Sequence, residues 1–188
     1  MIGSVSLLDA NVLYPSLIRN LLMHCATSDL IAARWTNTIH EEWIRNLLTD
    51  RPDLSLERLQ RTRQFMEKAV PDAEVTGYEP LVTTLGLPDP DDAHVLAAAI
   101  KAEAEFLVTF NLRDFPRELL APHGVEALTP DDLMCRLYQA KPEATLEVLE
   151  ELRRSLHNPP YTRPDFYRRL GTVGLVQFAA LLTSEPTG

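Results

Sequence analysis

The chain has 188 residues, 45 % of them hydrophobic and 24 % charged, the make-up of an ordinary globular protein long enough to bury a core. A formal net charge of −9 excludes broad electrostatic attachment to nucleic acid or to an anionic membrane, although carboxylates gathered to hold a metal count as negative until the metal arrives. No apolar run reaches the about 18 residues that a membrane-spanning helix needs.

The N-terminal stretch lacks the basic start and small-residue cleavage site of a secretory signal, so a cytoplasmic protein is expected. Residues 4 to 9, S-V-S-L-L-D, suit a short buried parallel strand, with a turn at Asp9, Ala10 and Asn11. Pro15 then precedes an apolar helix over residues 17 to 25. A strand that ends in an acid and feeds a helix is the first half of a β-α unit, and ligands of open parallel sheets collect beyond the carboxyl ends of the strands. Asp9 belongs at that edge, although a lone Asp after a strand is more often a turn residue. Cys25 and Cys135 lie far apart with no C-x-x-C spacing, which argues for two reduced, buried thiols and against a zinc site or a disulfide framework.

Residues 32 to 36 read as a brief strand, followed by a helix capped by Asn37 or Thr38 and running to about residue 48. Its buried face is Ile39, Trp43 and Leu47, with Ile44 and Leu48 beside it. Glu42 lies at the border of that face, about 100° round the helix from Trp43, whereas Glu41 points farther toward solvent. Pro52 breaks this helix. Another starts at Ser55, with Leu56, Leu59, Met66 and Val70 along its apolar stripe. Arg58, Arg61 and Arg63 lie off that stripe; they read as a solvated face or, with Arg113 farther along, as a group that guides a polyanion. A short strand is expected near residues 74 to 76 and a short helix over 78 to 85.

The stretch D-P-D-D-A-H-V-L-A-A-A-I, residues 89 to 100, runs three carboxylates straight into an apolar helix. Helix-start chemistry accounts for part of this: Asp89 caps, Pro90 suits the first turn, and Asp91 and Asp92 favour the positive dipole end. From residue 95 to 100 the helix is apolar on every face, so it is expected to be buried. Residues 106 to 109 form another buried strand, and Asn111 and Asp114 leave its carboxyl end as Asp9 leaves the first. One more strand is expected over 125 to 128. Such alternation implies right-handed crossovers and a parallel sheet covered on both sides. Beyond Pro130, helices are expected over 131 to 140 and 143 to 156, an interruption at N-P-P-Y-T-R-P, and a last helix over 173 to 182. Arg153, Arg154, Arg163, Arg168 and Arg169 read as solvated helix faces ahead of an RNA or partner surface.

Four elements therefore deliver acids to one edge of the sheet: Asp9, Glu42, Asp92 and Asp114. Facing carboxylates repel, and their desolvation is costly unless a cation neutralises them. Hard oxygen ligands with no Cys and no paired His favour Mg²⁺ or Mn²⁺ over zinc. A metal so held polarises a phosphate, lowers the pKa of a bound water and stabilises a leaving oxygen, which suits phosphoryl chemistry. The chain shows no P-loop, no G-x-S-x-G elbow and no Gly-rich dinucleotide turn, which removes common rivals. His40 and His94 stand beside acids. His94, two residues past Asp92, faces substantially away on a helix, and both are read as supporting or structural.

D-A-N-V-L-Y-P near the N-terminus, E-E-W at 41 to 43, the 89 to 100 stretch and V-T-F-N-L-R-D-F-P at 108 to 116 together resemble the PIN-domain ribonucleases, particularly the VapC-like toxins of bacterial toxin-antitoxin pairs. The resemblance covers roughly residues 4 to 128. It implies a Mg²⁺- or Mn²⁺-dependent endoribonuclease on an α/β, Rossmann-like PIN fold, a parallel sheet sandwiched by helices. Asp9, Glu42, Asp92 and Asp114 match the family's catalytic and metal-binding acids, and Thr109, Asn111 and Asn11 match supporting positions. The family often carries Asp where Asn11 and Asn111 stand, which lowers the charge here. Asp89 and Asp91 are extra acids, the first a cap and the second either outward-facing or bound to waters of a second metal. Residues 1 to 130 are expected as a PIN-like nuclease domain and 131 to 188 as a C-terminal helical extension, packed on the core or serving a dimer or antitoxin interface. Expected partners are RNA as substrate, a small antitoxin and a second copy in a homodimer, with no membrane. Two readings compete: a non-catalytic PIN-like module that binds RNA or protein, and a phosphatase with Asp9 as nucleophile, which Asn11 disfavours by replacing the second acid.

Overall fold

The computed structural model describes residues 3–184. One parallel sheet runs in the order β2-β1-β3-β4, where β1 is Ser4–Leu8, β2 Ile31–Arg34, β3 Phe106–Val108 and β4 Glu126–Leu128. Parallel neighbours need crossovers, and helices supply them. α1 (Ala10–Leu13) and α2 (Ser16–Thr27) link β1 to β2. α3 (Asn37–Asp50), α4 (Leu56–Ala69), α5 (Glu79–Val82) and α6 (Ala93–Lys101) lead from β2 to β3, and α7 (Arg117–Leu120) precedes β4. After the sheet come α8 (Pro130–Ala140), α9 (Pro142–Ser155), α10 (Arg163–Thr172) and α11 (Val176–Ser184).

Successive strand residues point to opposite faces. The complete burial of both Leu7 and Leu8 on β1, and of Leu107 and Val108 on β3, therefore means that both faces of the sheet are covered. α6 packs on β1 and β3, α2 on β2, α8 on β4, and α9 lies against α2. Ala97, Ala98 and Ala99 are fully buried, and their short side chains let α6 lie close to its neighbours. Each large aliphatic side chain so enclosed contributes roughly 1.5–3 kcal/mol. No helix of the described residues is long and apolar enough to cross a membrane.

Local chemistry sets the helix starts. Thr36, one residue ahead of the expected cap, accepts from the Ile39 amide at 3.1 Å to begin α3. Ser55 caps α4. Thr129 and Asp132 cap α8 reciprocally, with Pro130 in its first turn.

Several expectations are corrected. The strand expected near residues 74 to 76 is a single parallel bridge between Trp35 and Glu74; beyond it the chain turns at Gly77, whose φ is 71°. Leu56 is half exposed, because as the first residue of α4 it projects past the packed part of the stripe, which Leu59 and Met66 carry. Cys25 is buried but Cys135 only partly so. The interruption expected over residues 158 to 164 ends sooner, since Arg163 and Pro164 already belong to α10, which fills the stretch to Thr172 for which no element was expected. Thr162 accepts from the Asp165 amide, so Pro164 occupies a first turn, where proline suits a helix. The last helix begins at Val176 rather than 173, after Gly174 at φ 102° has broken the helical path.

One buried carboxylate joins the C-terminal helices. Asp131 of α8 accepts from the backbone N–H groups of Gln177 and Phe178, 2.9 Å each, and so satisfies first-turn amides of α11 that have no partner within that helix. Replacing Asp131 with Ala leaves these donors unpaired, at an expected cost of about 1–3 kcal/mol. The measurements are the urea midpoint, which falls, and hydrogen exchange at the Gln177 and Phe178 amides, which quickens.

Candidate functional site

Strand register builds the centre of the site. Leu8 of β1 stands opposite Val108 of β3, so Asp9 and Thr109 leave the sheet side by side. The Asp9 amide bonds the Val108 carbonyl at 3.1 Å and the Thr109 amide bonds the Leu128 carbonyl at 2.9 Å. The Thr109 hydroxyl donates to Asp9 Oδ2 at 2.7 Å and accepts from Asn11 Nδ2 at 2.8 Å and the Asn111 amide at 3.0 Å. Asn11 Nδ2 also reaches Asp9 Oδ2 at 2.6 Å, while its Oδ1 accepts from the Phe110 amide at 3.0 Å. One amide side chain thus ties both strand ends together. Asp9 occupies the cap position of α1, yet its carboxylate makes no capping bond. Burial raises its pKa, the Thr109 and Ala10 hydrogen bonds oppose that, and the charge of Glu42 adds to the rise.

The remaining acids arrive from two short turns and one helix. A 3₁₀ turn, Pro90–Asp92, opens α6. Asp89 caps it by accepting from the Asp91 amide at 2.9 Å, whereas Asp92 makes no capping bond. Asp114 ends a second 3₁₀ turn, Leu112–Asp114, and accepts from Asn111 Nδ2. One carboxylate oxygen from each of Asp89, Asp92 and Asp114 lies within 4.8 Å of the others. Burial, followed by the charges of Asp9, Asp114 and Asp89, pushes the Asp92 carboxyl up to about 6, with His94 opposing. Asp91 is exposed and stands outside this group.

Glu42 of α3 reaches the same edge, its Oε1 2.9 Å from His94 Nε2, while Glu41 is exposed and accepts from Asn37 Nδ2 at 2.7 Å. The expectation that His94 faces away is corrected here. His94 lies near the start of α6, and α3 brings Glu42 to meet it there, so the partner comes from another helix rather than from the phase of its own. His94 Nδ1 is buried with no partner among the described residues. Arg61 and Arg63 are engaged with Glu57 and Glu67 along α4, Arg58 is exposed on the same helix, and none of the three contacts the acids among the described residues. Arg113 is exposed beside Asp114.

Taken alone, the geometry is a cluster of hard oxygen donors from separate segments, which suits a divalent cation of the magnesium, manganese or calcium type. The repulsion that lifts Asp92 is the load such a cation relieves. Reading the sequence assigned Asp89 to capping; in the fold one of its oxygens caps and the carboxylate still faces the cluster. The pairing of His94 with Glu42 was also missed, because it depends on where α3 meets α6, which sequence pattern does not report.

Residues 6 to 113 match the family described as PIN domain, and residues 130 to 184 match that described as VapC50 C-terminal domain. The chain is also similar to a curated protein of Mycobacterium tuberculosis named "Putative ribonuclease VapC50", with 39 % identity over 89 residues, covering 47 % of this chain and 52 % of that protein. The chain thus spans about half the length of the curated relative it matches. No solved structure matches it.

His40 belongs to the core and not to the acids. Its Nδ1 accepts from the Trp43 indole at 2.9 Å, and the ring lies edge-on to Trp35 at 5.3 Å between centroids. Burial, with Arg63 and Arg19 nearby, lowers its pKa to about 3. Below pH 6.5 the unfolded chain takes up a proton that the folded one refuses. His40 therefore stabilises fully above 6.5 and costs up to about 1.4 kcal/mol for each pH unit of acidification toward 3. Urea titrations at pH 7 and 5 should show this loss in the native chain and a smaller one in His40→Gln, which keeps an acceptor but does not titrate.

Proposed function

The chain belongs to the PIN-domain family, and from that premise we propose that it is a Mg²⁺- or Mn²⁺-dependent endoribonuclease, the toxin half of a type II toxin-antitoxin pair. In this reading residues 1 to 130 are the nuclease unit and 131 to 188 a helical extension packed on it. A small antitoxin protein, a homodimeric state and a cytoplasmic setting belong to the same proposal.

The observation that carries it is the convergence of Asp89, Asp92 and Asp114 within 4.8 Å, at the carboxyl edge of the sheet where Asp9 is held. Asp92, Asp114 and Asp89 would hold the cation, with Asp9 and Glu42 completing the negative surround. When bound, such a cation polarises a phosphate and lowers the pKa of a water. The chain's own groups fix the geometry. Thr109 and Asn11 pin Asp9, Asn111 orients Asp114, and Glu42 accepts from His94 Nε2, which holds the imidazole proton on that nitrogen. RNA as the substrate is supported by the relative's name. Asn11 spends both ends of its amide on the strand ends and has no acid to offer, which disfavours the phosphatase alternative.

The test is cleavage of defined RNAs by the full chain with Mg²⁺ or Mn²⁺ and with a chelator. Cleavage should require the ion and fall by at least about 10²-fold in Asp9→Asn and in Asp92→Asn. Equal cleavage by these variants overturns the proposal and points to a contaminating nuclease.

A further inference from the structure

Phe110 follows Thr109 at the end of β3, and the residue is 39 % exposed. Its backbone N–H is nevertheless tied to Asn11 Oδ1 at 3.0 Å, so this aromatic is anchored by the same amide that holds Asp9. The next residue, Asn111, binds Asp114. Behind the ring stands the turn between α10 and α11. A Cβ at Gly174 would lie 3.3 Å from Phe110 Cε1 and 3.7 Å from Cζ, and Gly174 has φ +102°, a conformation that residues with side chains rarely adopt. The C-terminal extension, remote in sequence, thus reaches the acidic edge of the sheet against an exposed aromatic.

The segments that flank Phe110 and Gly174 in the chain carry two arginines with no carboxylate partner among the described residues. Arg169, in the last turn of α10, donates from Nη1 to Thr172 Oγ1 at 3.2 Å, which directs its guanidinium toward the helix end that leads into Gly174. Its neighbour Arg168 pairs with Asp165 at 2.8 Å, but Arg169 has no carboxylate partner among the described residues. Arg113, between Leu112 and Asp114, is exposed and also lacks one among the described residues. In a chain of net charge −9, cations left without carboxylates are suited to a polyanion.

Resting on the nuclease reading above, we propose that Phe110 is the stacking platform for an unpaired base beside the cleaved phosphate, with the Gly174 turn as its rear wall and Arg169 and Arg113 as contacts to flanking phosphates. Stacking on an aromatic face tolerates every base and is closed to one that remains paired within a duplex. The subsite therefore selects single-stranded RNA, and the C-terminal extension supplies part of the substrate surface.

The experiment is fluorescence anisotropy of the full chain with a labelled single-stranded RNA of about 12 nucleotides, in EDTA so that nothing is cleaved, alongside the cleavage assay with metal. Phe110→Ala is expected to weaken binding roughly 5- to 30-fold, and Phe110→Trp to restore it. Arg169→Gln should lower the slope of log affinity against log salt by about 0.7, whereas Arg168→Gln should leave the slope unchanged. Unchanged binding by Phe110→Ala in a preparation that cleaves RNA overturns the subsite and leaves the nuclease reading standing, as does an unlabelled duplex that competes as well as the single strand. A wild-type chain that neither binds nor cleaves RNA overturns both.

Discussion

The parallel register that sets Leu8 against Val108 is the constraint from which the site follows. It brings Asp9 and Thr109 out of the sheet together, and Thr109 and Asn11 then donate to one oxygen of a nearly buried carboxylate. A buried acid is expensive unless hydrogen-bonded, and these donors offset part of that cost while leaving the second oxygen unused by either. The same amide fixes the Phe110 backbone, so the acidic edge and the exposed residue beside it share one support. A one-residue slip of either strand would turn every inward side chain to the other face and part Asp9 from Thr109.

Around that centre the molecule gathers like charges that it does not neutralise. Asp92 makes no capping bond, although a carboxylate at a helix start usually serves as one. Its elevated pKa records burial and the fields of Asp9, Asp114 and Asp89. Local stability would favour a capping geometry, and its absence agrees with the general pattern that functional sites are where local rules are broken and compensated elsewhere. The compensation is visible in the reciprocal cap of α8, the fully buried alanines of α6 and the enclosed aliphatic residues of β1 and β3.

The C-terminal helices are bound to the rest by more than apolar contact. α9 lies on α2, and Asp131 fastens the start of α11 to α8. The residues just before α11, held in position by that bond, bring Gly174 against Phe110. A change in how α8 and α11 pack is in this way linked to the edge of the acidic site through a short path of specified contacts.

Much was legible in the residues alone. The apolar run of β1, the all-round apolar α6 and the strand-helix alternation imply a covered parallel sheet, because periodicity reports which faces are buried. Acids that close strands or open helices could be assigned to the carboxyl edge from topology, and Glu42 could be preferred over Glu41 from helical phase. Only the tertiary structure decided the rest. Pro164 opens a helix instead of prolonging a break because Thr162 is placed to cap it. His94 meets Glu42 because α3 carries that acid to the start of α6. Asp89 faces Asp92 and Asp114 while it caps, and Asn11 proves to be the tie between two strands rather than a weakened acid. The physical reason is common to all four: sequence pattern reports the local conformation that each segment prefers, whereas these roles depend on which distant segment meets it and at what angle.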